Sequence, residues 1–138
     1  MKRSLKVLII EDSEDDALLA MHEIRRGGYD VSFEIVDGQK DFSASLIKGT
    51  WDLVLCDYTL PNFSGMKALY LLREKDDDTP FIFVSGTMGE NTAAQAMKAG
   101  ANDYVTKDGL TLLVPAIDRE LRKADERLRG RKFAEYVQ

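Results

Sequence analysis

Short apolar runs alternate along the chain with segments whose apolar residues recur at helical intervals. Five runs are rich in β-branched and aromatic residues and have the length of strands. They are residues 5–10, 31–36, 53–56, 81–84 and 104–106. The segments between them carry helix-spaced apolar residues, such as Ala17, Met21 and Ile24, and several end at glycine. This order predicts an α/β fold, a five-stranded parallel sheet with helices on both faces, because each parallel connection requires a crossover.

The apolar spacing changes in the C-terminal segment. Positions spaced alternately four and three residues apart form a heptad pattern: Leu110, Val114, Ile117, Leu121, Ala124 and Leu128. Pro115 fits only near a helix start, so the regular helix is predicted to begin close to Thr111 or Leu112. Roughly 11–12 residues of helix cover a sheet of this size. We therefore expect an extended C-terminal helix, with a domain over residues 4–124 and a projecting helical tail or connector over 125–138.

Three interpretations of that tail remain open at this point. Residues 122–132 are predicted to project as the start of a coiled coil, as a connector to another domain, or as a frayed helix end. Residues 118–132 hold seven basic and four acidic residues, whereas the whole chain has a net charge of −5. The tail therefore differs in charge from the acidic body.

Composition narrows the class of protein. A chain of 138 residues with 44% apolar and 31% charged residues is typical of one globular domain. No apolar run approaches the ~20 residues that span a bilayer, and the run at 5–10 is too short for a signal peptide, so we expect a cytoplasmic protein without membrane contact. The acidic balance argues against direct nucleic-acid binding. The single cysteine, Cys56, excludes an internal disulfide and a cysteine-based metal site.

Polar residues stand where the predicted strands end. Glu11 and Asp12 follow the first strand, Asp57 the third, Ser85 the fourth and Lys107 the fifth. Open parallel sheets bind ligands at this edge. Three carboxylates about 4 Å apart repel by roughly 4 kcal/mol per pair at an effective dielectric of 20, which a hard divalent cation such as Mg²⁺ offsets. A metal beside a lysine and a hydroxyl suits phosphoryl transfer, with an aspartate as nucleophile.

These residues lie in motifs that resemble the response-regulator receiver domain, the family of the bacterial chemotaxis regulator. The motifs are residues 8–12 (LIIED), 57–61 (DYTLP), Gly65, 83–86 (FVSG) and 100–107 (GANDYVTK). The resemblance covers about residues 5–124. It implies a flavodoxin-like strand order 2-1-3-4-5 and a role in two-component phosphorelay signalling.

The resemblance also implies a role for each residue of the site. Asp57 is expected to accept a phosphoryl group from the phosphohistidine of a sensor histidine kinase or phosphotransfer protein. Mg²⁺ (or Mn²⁺) is expected to bind Asp12, Asp57 and the backbone carbonyl of Thr59, with Glu11 acting through water. Lys107 is expected to hold a phosphoryl oxygen.

A conformational switch is the second implication. Ser85 is expected to bind the phosphoryl group and draw its loop inward, so that Tyr104 changes rotamer and remodels the face of helix four, strand five and helix five; a static strand aromatic is the alternative interpretation of Tyr104. Homodimers through this face or the C-terminal helix are candidate assemblies. Thr59 and Thr87 are expected to flank the path of the water that hydrolyses the phosphoaspartate.

One position departs from the family pattern. Asp108 follows Lys107 where the family usually has proline after a cis peptide bond. A cis bond to a non-proline residue costs ~2.5–4 kcal/mol. Either the loop carries that strain, or the bond is trans and Lys107 reaches the site by another path.

Two other functions compete with that of a phosphoacceptor. A receiver-like interaction module that needs no phosphate is the main alternative. A haloacid-dehalogenase-like phosphotransferase is disfavoured, because that family places a second aspartate two residues beyond the nucleophile, where Thr59 stands. We expect no enzyme beyond self-phosphorylation from small donors and self-dephosphorylation. Residues 85–90 and the pair Lys107-Asp108 resemble receivers fused ahead of sensory or signalling domains.

Overall fold

The computed structural model describes residues 2–76, 78–86 and 88–137. Within these ranges five strands alternate with five α-helices, and a 3-10 turn, Lys107–Leu112, precedes the last helix. The strands are β1 (Arg3–Ile10), β2 (Tyr29–Val36), β3 (Leu53–Cys56), β4 (Phe81–Ser85) and β5 (Asp103–Thr106). The helices are α1 (Glu14–Arg26), α2 (Gln39–Lys48), α3 (Gly65–Lys75), α4 (Glu90–Lys98) and α5 (Leu113–Val137). None of these helices is both long and apolar enough to cross a membrane.

The strands form one parallel sheet in the order β2-β1-β3-β4-β5. This confirms the predicted fold class and strand order. Ile10 of β1 lies opposite Cys56 of β3, and Ser85 of β4 lies opposite Thr106 of β5. Because neighbouring strands end level with one another, the residues that follow β1, β3 and β5 emerge at one edge of the sheet.

Helices cover both faces of the sheet, and β1 shows how the core is divided. Val7 and Ile9 pack into a cluster with α1 and α5, whereas Leu8 and Ile10 pack into a second cluster with α2, α3 and α4. Each of these four side chains is 3% exposed or less. A strand buried on both faces reads as a continuous apolar run, which is why β1, β3 and β4 could be recognised from the sequence.

The start of α1 is fixed next to the end of β1. The Ser13 hydroxyl accepts a hydrogen bond from the Asp16 amide at 3.2 Å, which is a typical N-cap. The Ser13 amide in turn donates to a Glu11 carboxylate oxygen at 3.1 Å. The first turn of the helix is acidic, which the helix dipole favours. The loop therefore holds the Glu11 carboxylate and the first turn of α1 at the same edge of the sheet.

The last helix begins at Leu113, close to the predicted start, and Pro115 lies in its first turn. Its first part packs on the sheet through an apolar face that reaches Leu121. Farther along, the Arg131 guanidinium donates to both Asp78 carboxylate oxygens, at 2.6 and 3.1 Å. The extended C-terminal helix is thus confirmed, whereas its role as a coiled coil, a connector or a frayed end stays a prediction.

Gly65, the first residue of α3, allows this helix to approach the sheet closely. A Cβ at this position would lie 2.8 Å from the ring of Phe83 and 3.3 Å from the carbonyl oxygen of Asp57. We therefore predict that Gly65→Ala lowers the free energy of unfolding by about 1–3 kcal/mol, as overpacking of a core does. Urea unfolding followed by circular dichroism measures this change.

Gly130→Ala is the matched control. An added Cβ there meets nothing within 4 Å, and alanine favours an exposed helix over glycine by up to about 1 kcal/mol. The control should be neutral or stabilising. A Gly65→Ala protein as stable as the Gly130→Ala protein would contradict the close packing of α3 on Phe83.

Candidate functional site

Three carboxylates meet at the carboxyl edge of the sheet. Glu11 and Asp12 follow β1 and Asp57 follows β3, and one carboxylate oxygen from each lies within 4.8 Å of the others. Glu11 and Asp57 are only 4% and 6% exposed, whereas Asp12 is exposed. Oxygens so close together, with one side open to solvent, fit a hard divalent cation that keeps part of its water shell. The residues expected to bind the metal are therefore adjacent.

Lys107 extends its ammonium group into this cluster. The nitrogen lies 3.1 Å from an Asp57 carboxylate oxygen and 3.2 Å from Glu11. It also lies 2.8 Å from Asp16 in the first turn of α1, an acid that the sequence analysis did not include in the site. No local sequence signal marks this contact, because it joins residues 91 positions apart and depends on how α1 packs on the sheet.

The backbone beyond Lys107 shows whether the Lys107-Asp108 peptide bond is cis or trans. Within the described residues no peptide bond is cis, so the Lys107-Asp108 bond is trans. The chain turns at once into the 3-10 segment, in which Gly109 has φ −114° and ψ 40°. Of the two alternatives, the trans bond is the one found, and Lys107 still contacts Asp57.

The turn after β3 orients the Asp57 carboxylate. The amide of Thr59 donates to Asp57 Oδ1 at 3.1 Å, and the amide of Asp57 donates to the carbonyl of Ile10 at 2.9 Å. The two carboxylate oxygens thus have different partners, the Thr59 amide on one and the Lys107 ammonium on the other. Thr59 itself is exposed, and Thr87 lies outside the described residues.

The two expected switch residues occupy different environments. Ser85, the last residue of β4, is buried with 3% of its surface exposed. Tyr104 on β5 is 41% exposed and lies opposite Phe83 in the sheet register. Since Ser85 and Thr106 are paired, Ser85 ends its strand beside the residue that precedes Lys107.

Burial and charge change the acidity of the site. Burial and, to a smaller extent, the negative charge of Asp57 raise the pKa of the Glu11 carboxyl to about 7, although the hydrogen bonds from Ser13 and Lys107 act in the opposite direction. Burial by itself would lower the pKa of Lys107, but its hydrogen bonds to Asp16, Asp57 and Glu11 raise that pKa above its ordinary value. At neutral pH the lysine is therefore charged, while Glu11 exchanges its proton near neutrality.

Cys56 borders the site without belonging to its chemistry. Its side chain is fully buried and its thiol donates to the carbonyl of Asp57 at 3.2 Å. Burial raises the pKa of this thiol well above its ordinary value, and the charges of Asp57 and Glu11 act in the same direction. A thiol held in its protonated form is a poor nucleophile and metal ligand.

Residues 7–118 match the family model described as the response regulator receiver domain. The chain is a receiver domain of this family. Uncharacterized transcriptional regulatory protein YkoG of Bacillus subtilis (strain 168) is 36% identical to this receiver over 101 residues, which are 73% of this chain and 43% of the relative. Transcriptional regulatory protein RprY of Bacteroides fragilis (strain YCH46) is 30% identical over 126 residues, 88% of this chain and 52% of the relative. The receiver thus spans about half the length of these curated relatives.

Solved structures share the receiver fold. The receiver domain of the Francisella response regulator 1452 superimposes with a TM-score of 0.74 at 21% identity, covering 86% of this chain and 98% of that one. NtrX from Brucella abortus gives a TM-score of 0.84 at 19% identity, covering 95% of this chain and 30% of its own. Both identities are low, so these likenesses concern the fold alone.

The raised pKa of Glu11 generates a prediction for metal binding by this receiver. A proton on Glu11 competes with a cation, so Mg²⁺ affinity should rise with pH up to and through about 7. Titration calorimetry in buffers of different ionisation enthalpy should show that nearly one proton is released per Mg²⁺ bound at pH 6. At pH 8.5 almost no proton should be released. The Glu11→Gln variant should lose this pH dependence. If Mg²⁺ affinity of the parent protein does not change with pH, the placement of Glu11 in the metal site is contradicted.

Proposed function

We propose that this receiver accepts a phosphoryl group on Asp57 from the phosphohistidine of a sensor histidine kinase or a phosphotransfer protein. The observation that carries the proposal is the arrangement around Asp57. Its carboxylate is 3.1 Å from the Lys107 ammonium and within 4.8 Å of oxygens of Glu11 and Asp12. The cluster thus combines a nucleophilic carboxylate, a positively charged ammonium group and two further carboxylates that can hold a metal ion. This combination suits phosphoryl transfer.

The transfer needs few groups from the protein. A carboxylate oxygen of Asp57 forms a bond to phosphorus while the phosphorus–nitrogen bond of the phosphohistidine breaks and the imidazole nitrogen keeps the electron pair. The product is an acyl phosphate on Asp57. The Thr59 amide holds one carboxylate oxygen in place, and Lys107 neutralises negative charge on the transferred group. Such catalysis rests on positioning and charge stabilisation.

A divalent ion completes this site. Asp12, Asp57 and the backbone carbonyl of Thr59 are the proposed direct ligands of Mg²⁺ or Mn²⁺, and Glu11 is proposed to act through water. The bound ion would supply positive charge to the phosphoryl oxygens and offset the repulsion among the carboxylates. Without it, carboxylate oxygens within 4.8 Å of one another repel by at least about 3.5 kcal/mol per charged pair at an effective dielectric of 20.

The proposed output of phosphorylation is a change in the face formed by α4, β5 and α5. Ser85 would bind a phosphoryl oxygen and draw the β4–α4 loop inward, and the exposed Tyr104 would then turn toward the sheet. About two added negative charges bias this equilibrium. Met97 and Leu112 are exposed apolar side chains on the elements that flank β5 (41% and 64% exposed), which supports a partner or a second copy binding there.

The lifetime of the acyl phosphate is proposed to depend on Thr59 and Thr87. Neither side chain is a strong acid or base, so neither rapid nor blocked hydrolysis is expected. Self-phosphorylation from small donors and self-dephosphorylation are the proposed limits of its enzymatic activity. The phosphate-independent interaction module remains the alternative, and the intact set of Asp57, Lys107 and the acidic pair favours the phosphoacceptor.

The place of the receiver in a longer signalling chain is also a proposal. The first curated relatives are named as transcriptional or regulatory proteins, and the receiver spans about half of most of them. A division into a receiver over residues 4–124 and a helical connector over 125–138 fits such an arrangement. The receiver itself is proposed to act in the cytoplasm, without direct contact with nucleic acid or membrane, in keeping with its net charge of −5.

The phosphoacceptor role is tested with beryllium fluoride, which mimics a phosphoryl group on an aspartate. With saturating Mg²⁺, beryllium fluoride should shift the NMR signals of Tyr104 and of the amides around Ser85. Trp51, which precedes β3 at the opposite edge of the sheet, should respond less. Asp57→Asn should abolish the response, because an amide does not coordinate beryllium as a carboxylate does.

Asp37→Asn provides the matched control for this experiment. Asp37 is an exposed aspartate that follows β2 at the same edge of the sheet. The control should respond as the parent does. A parent protein that shows no response at saturating Mg²⁺ would contradict the phosphoacceptor role and favour the phosphate-independent module.

A further inference from the structure

We propose that Asp16 is a positioning residue that holds the Lys107 ammonium at the phosphoryl end of the site. This inference rests on the proposed function, because it assigns Asp16 to the step in which Lys107 meets the phosphoryl group. Asp16 lies on α1 and is not among the ligands proposed for the metal. Its role would be exerted through Lys107 and not by contact with the transferred group.

The geometry of the ammonium group supports this role. An ammonium has three N–H donors, and Lys107 has three carboxylate partners in Asp16, Asp57 and Glu11. The contact with Asp16, at 2.8 Å, is the shortest of the three. All donors of the lysine are thus engaged, and the Asp16 carboxylate fixes the direction in which the side chain extends.

The three partners differ in what they do when a cation binds. Glu11 and Asp57 each place an oxygen in the cluster that fits a metal ion, together with Asp12. Within the described residues Asp16 is not part of that cluster. With a cation held by Asp12, Asp57 and Glu11, Asp16 would be the carboxylate left to bind Lys107. The lysine then keeps one fixed partner and directs its other N–H groups at the phosphoryl oxygens.

The backbone around Lys107 explains why such a partner is useful in this chain. The peptide bond that follows the lysine is trans, and no proline ring restricts it. The 3-10 segment that begins at Lys107 contains Gly109 with non-helical dihedral angles. A lysine side chain also loses rotamer entropy when it is ordered. A fixed carboxylate on a capped helix orders the ammonium before the phosphoryl group arrives.

Asp16 is itself held in place. Its amide donates to the Ser13 N-cap at 3.2 Å, so its backbone belongs to the first hydrogen-bonded turn of α1. Its neighbour Asp15 is in the same turn but is exposed, and among the described residues it is not one of the carboxylates that contact Lys107. Asp15→Asn therefore removes the same charge from the same helix turn, without the lysine contact, and separates positioning from simple charge.

The first measurement is the affinity for beryllium fluoride at saturating Mg²⁺. Asp16→Asn should weaken it about fivefold, the size expected for a charge-assisted hydrogen bond that is partly exposed to solvent. Asp15→Asn should change it by less than about twofold, as a surface charge does. Asp16→Glu should restore part of the loss. Mg²⁺ affinity without beryllium fluoride should be equal in the Asp16→Asn and Asp15→Asn proteins.

Two further readouts test whether Asp16 acts through Lys107. In the Lys107→Ala background, Asp16→Asn should no longer affect beryllium fluoride binding, because the group that it positions is gone. In the metal-free parent protein, NMR should show two resolved ε-proton signals for an immobilised Lys107. These signals should merge in Asp16→Asn and stay resolved in Asp15→Asn.

The outcomes separate the positioning role of Asp16 from the proposed phosphoacceptor function. If the parent protein binds beryllium fluoride and Asp16→Asn behaves as Asp15→Asn does, the positioning role is wrong and the proposed function stands. The role is also wrong if the effect of Asp16→Asn persists in the Lys107→Ala background. If the parent protein does not bind beryllium fluoride, the proposed function is contradicted, and the role of Asp16 falls with it.

Discussion

Lys107 carries its ammonium group into a cluster of carboxylates, and the organisation of the site depends on this one charge. Buried anions such as Glu11 and Asp57 lose hydration and, at this short distance, also repel one another, so the pKa of Glu11 is raised to about 7. The lysine offsets part of that cost by contacting both acids. It also places a positive charge beside the proposed nucleophile before any phosphoryl group is bound. The same contact serves stability and the proposed chemistry.

The fold brings these residues together because of how parallel strands end. Level ends of neighbouring strands put the residues after β1, β3 and β5 at one edge, although they lie up to 96 positions apart in the chain. Close approach of α3, permitted by Gly65, packs Phe83 beneath the Asp57 turn. The N-cap of α1 then adds Asp16 to the same edge. Packing of the sheet thus determines which charges meet.

Most of this arrangement could be predicted from the sequence because it follows from periodicity and from strand ends. Doubly buried strands are continuous apolar runs, and parallel topology sends their carboxyl ends to one edge. Asp16 could not be recognised in that way. Its contact with Lys107 depends on how α1 packs on the sheet and on the direction of a long side chain, and neither has a local signal. The trans bond at Asp108 is the ordinary state of a non-proline peptide bond, which is favoured over cis by ~2.5–4 kcal/mol.

The helix after Leu121 shows another limit of sequence patterns. A heptad spacing predicts an apolar seam, but it does not distinguish packing on the same domain from packing on another chain. In the structure the seam covers the sheet as far as Leu121, and the pairing of Arg131 with Asp78 follows farther along the helix. Contacts within the domain therefore account for part of a pattern that also suits a coiled coil.

The most direct test of the central claim is chemical identification of the phosphorylated residue. The protein is incubated with acetyl phosphate and saturating Mg²⁺ and then treated with borohydride, which reduces an acyl phosphate of aspartate to homoserine. Mass spectrometry of the peptides should locate homoserine at position 57 and at no other aspartate. Homoserine at another position, or none in a protein that binds Mg²⁺, would contradict the assignment of Asp57 as the phosphoacceptor.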